Sequence, residues 1–89
     1  MSSCSGLVSA IHLGPVSVAV DATKWQTYAS GIFSNCGTSV NHMVLLTTYA
    51  DEYWKCKNSW GTAWGEQGYI RLAPNNTCGI CSYAIYPVK

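Results

Sequence analysis

Between Lys57 and Tyr69 the chain reads Lys-Asn-Ser-Trp-Gly-Thr-Ala-Trp-Gly-Glu-Gln-Gly-Tyr, and this run constrains the fold more than any other stretch. It follows neither a helical nor a strand period. Glycines at 61, 65 and 68 allow backbone turns that residues with a Cβ resist. Trp60 and Trp64 are large apolar groups that must be covered or must cover something. A turn-rich loop holding two tryptophans is costly to order, and loops of that kind position sites. The plainer alternative is a packed hairpin corner.

The rest of the composition bears on what the loop sits in. With 89 residues the chain is one small domain or a piece of one, and a domain of this size buries only about 60–65% of its unfolded surface. Charged residues make up 10%, against about 25% in ordinary soluble domains, while 48% are hydrophobic. That balance predicts surface meant to be covered by something outside these residues. A net charge of +1 leaves no electrostatic footprint for nucleic acid or an anionic membrane surface. His12, Gly14 and Pro15 interrupt the longest apolar run well short of the roughly 18 residues of a membrane span. The N-terminus shows no basic region followed by an apolar stretch, so no signal peptide is visible. Five cysteines in so short a chain favour an oxidising compartment, and the odd count leaves at least one thiol free or paired with another chain.

Along the chain, Met1 to Gly6 is small and polar and is expected to fray. Leu7, Val8, Ala10 and Ile11 fit one face of a short helix, with Ser5 as its cap and Gly14-Pro15 as its stop. Val16, Val18 and Val20 alternate with Ser17 and Ala19 at strand period. Lys24 to Ala29 is predicted as a short helical turn with Trp25 and Tyr28 on one face, and Ile32-Phe33 leads into a loop over 34–39. Val40 to Tyr49 reads as a strand with Val44, Leu45 and Leu46 in the core. Ala50-Asp51-Glu52 turns it into a second strand, Tyr53 to Ser59. Because the turn lies midway between His42 and Asn58, an antiparallel hairpin brings those two side by side, within cross-strand reach. Tyr69 to Ala73 and Tyr83 to Pro87 are further strands, separated by a turn at Pro74-Asn75-Asn76. Asn75-Asn76-Thr77 is an N-glycosylation sequon, relevant only in a secretory compartment. There are no internal repeats.

Four stretches, in order, resemble the papain-like cysteine peptidases of the cathepsin L type. They are Gly14-Pro15-Val16-Ser17-Val18-Ala19-Val20, then Cys36-Gly37-Thr38-Ser39-Val40-Asn41-His42, then Lys57-Asn58-Ser59-Trp60-Gly61 with Trp64-Gly65-Glu66 and Gly68-Tyr69, and finally Tyr86-Pro87-Val88-Lys89. The resemblance runs from about Leu7 to Lys89 and covers the second half of the catalytic domain alone. It implies an α+β fold: a mainly antiparallel, barrel-like C-terminal (right) domain with one or two short helices. Residues 1–89 form that single unit, and the N-terminal helical half lies outside them.

The chemistry follows from the residues and the resemblance together. A thiol nucleophile needs an imidazole to take its proton and hold the thiolate as an ion pair. The imidazole needs a third group to fix its tautomer, and an asparagine side-chain oxygen does this. Taken alone, His42 is equally a hydrogen-bonded histidine near the end of a core strand; its pairing with Asn58 favours the base. The resemblance gives His42 the acid/base role and Asn58 the orienting role. It gives Trp60 and Trp64 the shielding of the pair, and Ala19, Met43 and Tyr83 the wall of the S2-like substrate pocket. Met43 stands where the family usually has Ala or Gly, and Thr48-Tyr49 replaces the family's Gly-Tyr, which leaves substrate preference open. Cys36 and Cys78 match positions that the family bridges by a disulfide. Cys56 is read as a small buried thiol. Cys78 and Cys81 have Cys-x-x-Cys spacing without a second ligand pair or a βαβ setting, so neither metal nor cofactor is predicted.

The nucleophile motif that the family carries near its mature N-terminus does not occur in this sequence, nor does the oxyanion glutamine. Cys4 precedes a short helix, which lowers a thiol's pKa, but its neighbours Ser3 and Ser5 do not match the motif, and a catalytic Cys4 is disfavoured. The expected function is thus the C-terminal part of a cysteine-type endopeptidase, inactive in isolation, with the N-terminal half of such a peptidase and peptide substrates as partners. The alternative is a non-catalytic module that docks onto a related peptidase. Family resemblance and cysteine content imply a lysosomal, vacuolar or secreted location.

Overall fold

The computed structural model describes residues 4–50 and 52–82, and the backbone alone of 84 and 85. Helix α1, Cys4–Ile11, is followed by strands β1 (Val16–Val20), β2 (Ile32–Phe33), β3 (His42–Ala50), β4 (Tyr53–Lys57) and β5 (Tyr69–Leu72). A single 3-10 turn, Thr77–Gly79, and a short strand β6, Ala84–Ile85, complete the order. The six strands form one sheet, β2-β5-β4-β3-β1-β6. Every pairing is antiparallel except β2 with β5. The fold is therefore α+β and mainly antiparallel, and among the described residues the sheet does not close on itself.

The period-2 alternation read along the strands decides what is buried. Val16, Val18 and Val20 on β1, Val44 and Leu46 on β3, Trp54 and Cys56 on β4, and Ile70 and Leu72 on β5 share one face and form the core. Leu7 and Ala10 of α1, three residues apart, pack onto the same cluster. Leu45, predicted to be core, instead faces outward and is 37% exposed. Successive strand side chains point to opposite faces, so three consecutive apolar residues cannot all point inward.

Three other local expectations need correction. Residues 4–6 are helical rather than frayed, and Cys4 is bonded to Cys81, 77 residues away. That bond makes Cys4 a cystine sulfur, unavailable as a nucleophile, and puts Ser5 inside the helix rather than at its cap. Residues 24–29 form two successive turns rather than helix, through N–H bonds from Trp25 to the Ala22 carbonyl and from Tyr28 to the Trp25 carbonyl. Ile32 and Phe33, given no element of their own in the sequence reading, add a parallel edge strand to β5 opposite Arg71 and Leu72.

A second disulfide joins Cys36 to Cys78, with Cα atoms 5.2 Å apart. Each bridge closes a long loop, and restricting the unfolded chain in this way is worth roughly 2–4 kcal/mol. Cys56 is fully buried and unbonded, and burial pushes its thiol pKa up.

Candidate active site

His42 opens β3, and Asn58 follows directly on the last residue of β4. The hairpin between them has a bulge between Leu46 and Thr48 and runs in the register Leu45↔Lys57. Continued by one step, that register sets Asn58 opposite Val44, so His42 lies two residues further along the same face. The pair meets diagonally, rather than directly side by side as the turn position suggested. His42 Nε2 lies 2.7 Å from Asn58 Oδ1.

The Ser59 amide fixes which atom of the asparagine this is. Its N–H donates to the same Oδ1 at 2.8 Å, so that atom can only be the oxygen. An amide oxygen accepts and cannot donate, so Nε2 must carry the proton. In the neutral ring Nδ1 is then the free basic nitrogen. Asn58 is 6% exposed, and its own N–H donates to the Gly68 carbonyl at 2.9 Å, which ties the end of β4 to the glycine-tryptophan loop.

Three tryptophans surround the imidazole. Trp60 lies over it with ring centroids 5.4 Å apart and remains 40% exposed on its other side. Trp25, fully buried, meets the ring edge-on at 6.3 Å and stacks on Trp64 at 5.9 Å. Trp64 also donates its indole N–H to the Trp25 carbonyl at 2.9 Å. Low-dielectric walls of this kind strengthen the hydrogen bond they enclose. Sequence reasoning singled out Trp60 and Trp64 but placed Trp25 only on a turn; its spacing from Tyr28 signalled burial and nothing about the site.

The loop owes its shape to Gly65 and Glu66. Gly65 has φ +59°, and a Cβ there would come within 2.6 Å of the Tyr69 carbonyl and 3.1 Å of the Tyr28 ring. Glu66 forms a bidentate pair with Arg71, Oε1 to Nε and Oε2 to Nη2, both at 2.8 Å, and also accepts the Gly31 N–H at 3.0 Å. The Arg71 hydrogen bonds, above all, hold the Glu66 carboxyl down at about 2. A carboxyl lowered on folding stabilises the fold fully above its unfolded pKa of roughly 4.3, and the contribution drains away as pH falls through about 2. Thermal melts between roughly pH 5 and 2 should accordingly show a shallower loss of stability for Glu66→Gln than for the native protein. Parallel slopes would remove the pair from any role in acid stability.

A second polar brace sets the approach to His42. Asn41 donates its N–H to the Val20 carbonyl, accepts the Ala22 N–H on Oδ1, and donates from Nδ2 to Thr23 Oγ1. Thr23 in turn donates to the buried Asp21 carboxylate at 2.6 Å, and chiefly this bond lowers the Asp21 pKa. The Asp21 N–H donates to the carbonyl of Cys78, half of the second disulfide. The residue before His42 is thus fixed to the exit of β1 and, through it, to a covalent crosslink. Sequence reading did not find this brace, because the polar groups of Asp21, Thr23 and Asn41 have no periodic signature.

Ala19 and Met43 are register partners on β1 and β3. With Val40, Asn41 and His42 they line a hollow of about 390 Å³ beside the imidazole. A second hollow of about 360 Å³ on the outer face runs past Met43, Leu45, Lys57 and Ser59. Tyr83, the third residue of the expected pocket wall, lies outside the described residues, as does the C-terminal stretch 86–89. Among the described residues no group of His, Cys, Asp and Glu is placed to hold a metal ion, and no helix is long and apolar enough to cross a membrane.

The description "Papain family cysteine protease" matches residues 3–88. The chain belongs to the papain family. Among papain-family relatives it is 51% identical over 89 residues to Cathepsin L 2 of Paramecium tetraurelia, matching 99% of this chain and 28% of that protein. It is 50% identical over 78 residues to Cysteine proteinase A of Leishmania mexicana, matching 81% of this chain and 22% of that protein. The chain thus spans about a quarter of the length of these curated relatives. The fold superposes on the bromelain protease of Ananas comosus with a TM-score of 0.86 at 41% identity, covering 97% of this chain and 46% of that one. These 89 residues are a fragment of a papain-family catalytic domain.

Proposed function

We propose that the chain is the C-terminal half of a cysteine-type endopeptidase, supplying the base and its orienter to a thiol on the N-terminal half. The observation that carries this is the hydrogen bond from His42 to Asn58, with the Ser59 amide fixing the asparagine oxygen and so leaving Nδ1 basic. In the assembled enzyme the thiol gives its proton to Nδ1, and the thiolate attacks the scissile carbonyl of a peptide. The imidazolium then returns the proton to the leaving amine, and the neutral imidazole activates the water that releases the acyl group. Asn58 holds the ring in one tautomer throughout, and the tryptophan cage keeps bulk water from the bond. The hollow lined by Ala19 and Met43 receives a substrate side chain beside the base. Exposed Met43, Leu45 and Trp60 supply apolar surface for the missing half to cover. The relatives named as cathepsin L support the same reading and a lysosomal, vacuolar or secreted location.

Reconstitution tests it. The isolated chain should show no peptidase activity. Refolded with the N-terminal half of a papain-family protease, it should form a complex that cleaves a fluorogenic peptide and is silenced by a thiol alkylator. A stoichiometric complex with no activity would indicate a docking module instead, and activity in the isolated chain would overturn the half-enzyme reading.

A further inference from the structure

We propose that Asn75 is the attachment point of an N-linked oligosaccharide. The sequence holds a single Asn-X-Ser/Thr sequon with X other than proline, Asn75-Asn76-Thr77. Nothing in the peptidase reading uses it.

The structure supplies three independent reasons to expect the sugar there. The first is exposure without internal duty. Asn75 is exposed, and among the described residues its carboxamide makes no hydrogen bond. Its neighbour Asn76 is engaged, accepting the Cys81 N–H on Oδ1 at 2.8 Å. Substituting one Nδ2 hydrogen of Asn75 therefore breaks nothing. The second is a rigid backbone beneath it. The Asn75 carbonyl accepts the indole N–H of buried Trp54 at 2.9 Å, and φ at Asn75 is +72°, a left-handed value that asparagine tolerates better than most residues. With the main chain held from below, the side chain stands at the surface. The third is the redox state. Two intramolecular disulfides, Cys4–Cys81 and Cys36–Cys78, bracket this corner. Structural disulfides belong to the oxidising secretory route, which is also where sequons matter.

The position also leaves the candidate active site clear. β4 and β5 pair from Trp54↔Leu72 at one end to Lys57↔Tyr69 at the other. Asn58 extends from the Lys57 end, whereas Asn75 lies just past the Leu72 end. The two sites are at opposite ends of the ladder.

The transfer balances without any redox change. The Asn75 amide nitrogen forms a bond to the anomeric carbon of the N-acetylglucosamine at the reducing end of a lipid-pyrophosphate-linked oligosaccharide. The carbon–oxygen bond to the pyrophosphate breaks, the lipid pyrophosphate leaves with the electron pair, and the amide proton passes to the transferase's base. In the folded chain the Thr77 hydroxyl is turned back onto the Pro74 carbonyl at 3.1 Å, so transfer requires this one contact to open.

Mass spectrometry of the natural protein tests the assignment. The peptide spanning Asn75 should carry N-acetylglucosamine-based glycans, and a glycosidase acting on the asparagine linkage should convert that residue to aspartate. In the full chain produced by a eukaryotic secretory host, Asn75→Asp and Thr77→Val should each lose the glycan completely, and Thr77→Ser should keep it. Asn75→Asp also preserves the left-handed turn, so the peptidase activity reconstituted with the N-terminal half should be unchanged. Recovery of the Asn75 peptide wholly unmodified from the natural protein, or a glycan that persists in Asn75→Asp, overturns the proposal. Neither result touches the peptidase reading, which is measured by activity alone.

Discussion

Replacing His42 with alanine in the assembled peptidase is expected to lower kcat/KM by about 10³–10⁴-fold. On the proposed mechanism the imidazole takes the thiol proton, returns it to the leaving amine and activates the deacylating water, and no other described side chain stands beside it to substitute. His42 is half-buried at the end of β3 rather than in the packed centre of the sheet. Loss of its ring should therefore leave complex formation and the far-ultraviolet spectrum intact. Asn58→Ala should cost less, because the base survives while its tautomer and orientation are no longer fixed. That variant also removes the acceptor of the Ser59 N–H, which now donates to Oδ1, so stability should fall by about 0.5–1.5 kcal/mol. The check is kcat/KM on a fluorogenic peptide, with titration of the nucleophile by an alkylator to count assembled sites. If the two variants lose equal activity at equal site counts, then His42 does not act as the base with Asn58 behind it.

How much of this was legible in the sequence differs from residue to residue, for physical reasons. The pairing of β3 with β4 was readable because alternation and a central turn are local properties. The bulge near Thr47 was not, since one extra residue leaves the hydrophobic count almost unchanged, yet it shifts Asn58 from opposite Leu45 to opposite Val44, onto the face that His42 shares. Cys4 looked like part of a frayed end because its anchor, Cys81, lies 77 residues away. β2 is two residues long and exists only because β5 offers it an edge. Trp25 carried the least warning of all. It sits between two turns, where no period tells which way a side chain points, and its role depends on Trp64 and His42, which arrive from distant strands and loops.

Trp25 is for that reason the most informative residue to change. Its indole is completely buried, stacked on Trp64, edge-on to Trp60 at 6.4 Å and edge-on to His42. Truncation to alanine removes all of these contacts and leaves a cavity, at an expected cost of about 3–5 kcal/mol. Trp54→Ala is the matched control. Trp54 is equally buried and anchored through its indole N–H to the Asn75 carbonyl, but it lies at the far end of the β4–β5 ladder from Asn58. Urea denaturation of the assembled peptidase should show both variants losing stability by similar amounts. Activity measured well below either transition should separate them. Trp54→Ala should keep near-native kcat, because the His42 cage is untouched. Trp25→Ala should lose about 10-fold or more, because Trp60 and Trp64 lose the surface they rest on and the imidazole loses a wall, and displacement of about 1 Å at a proton-transfer site is that costly. Trp25→Phe should recover most of the activity and only part of the stability, since a smaller ring still supports the stack. Equal activities for Trp25→Ala and Trp54→Ala would show that the cage stabilises the fold without positioning the base.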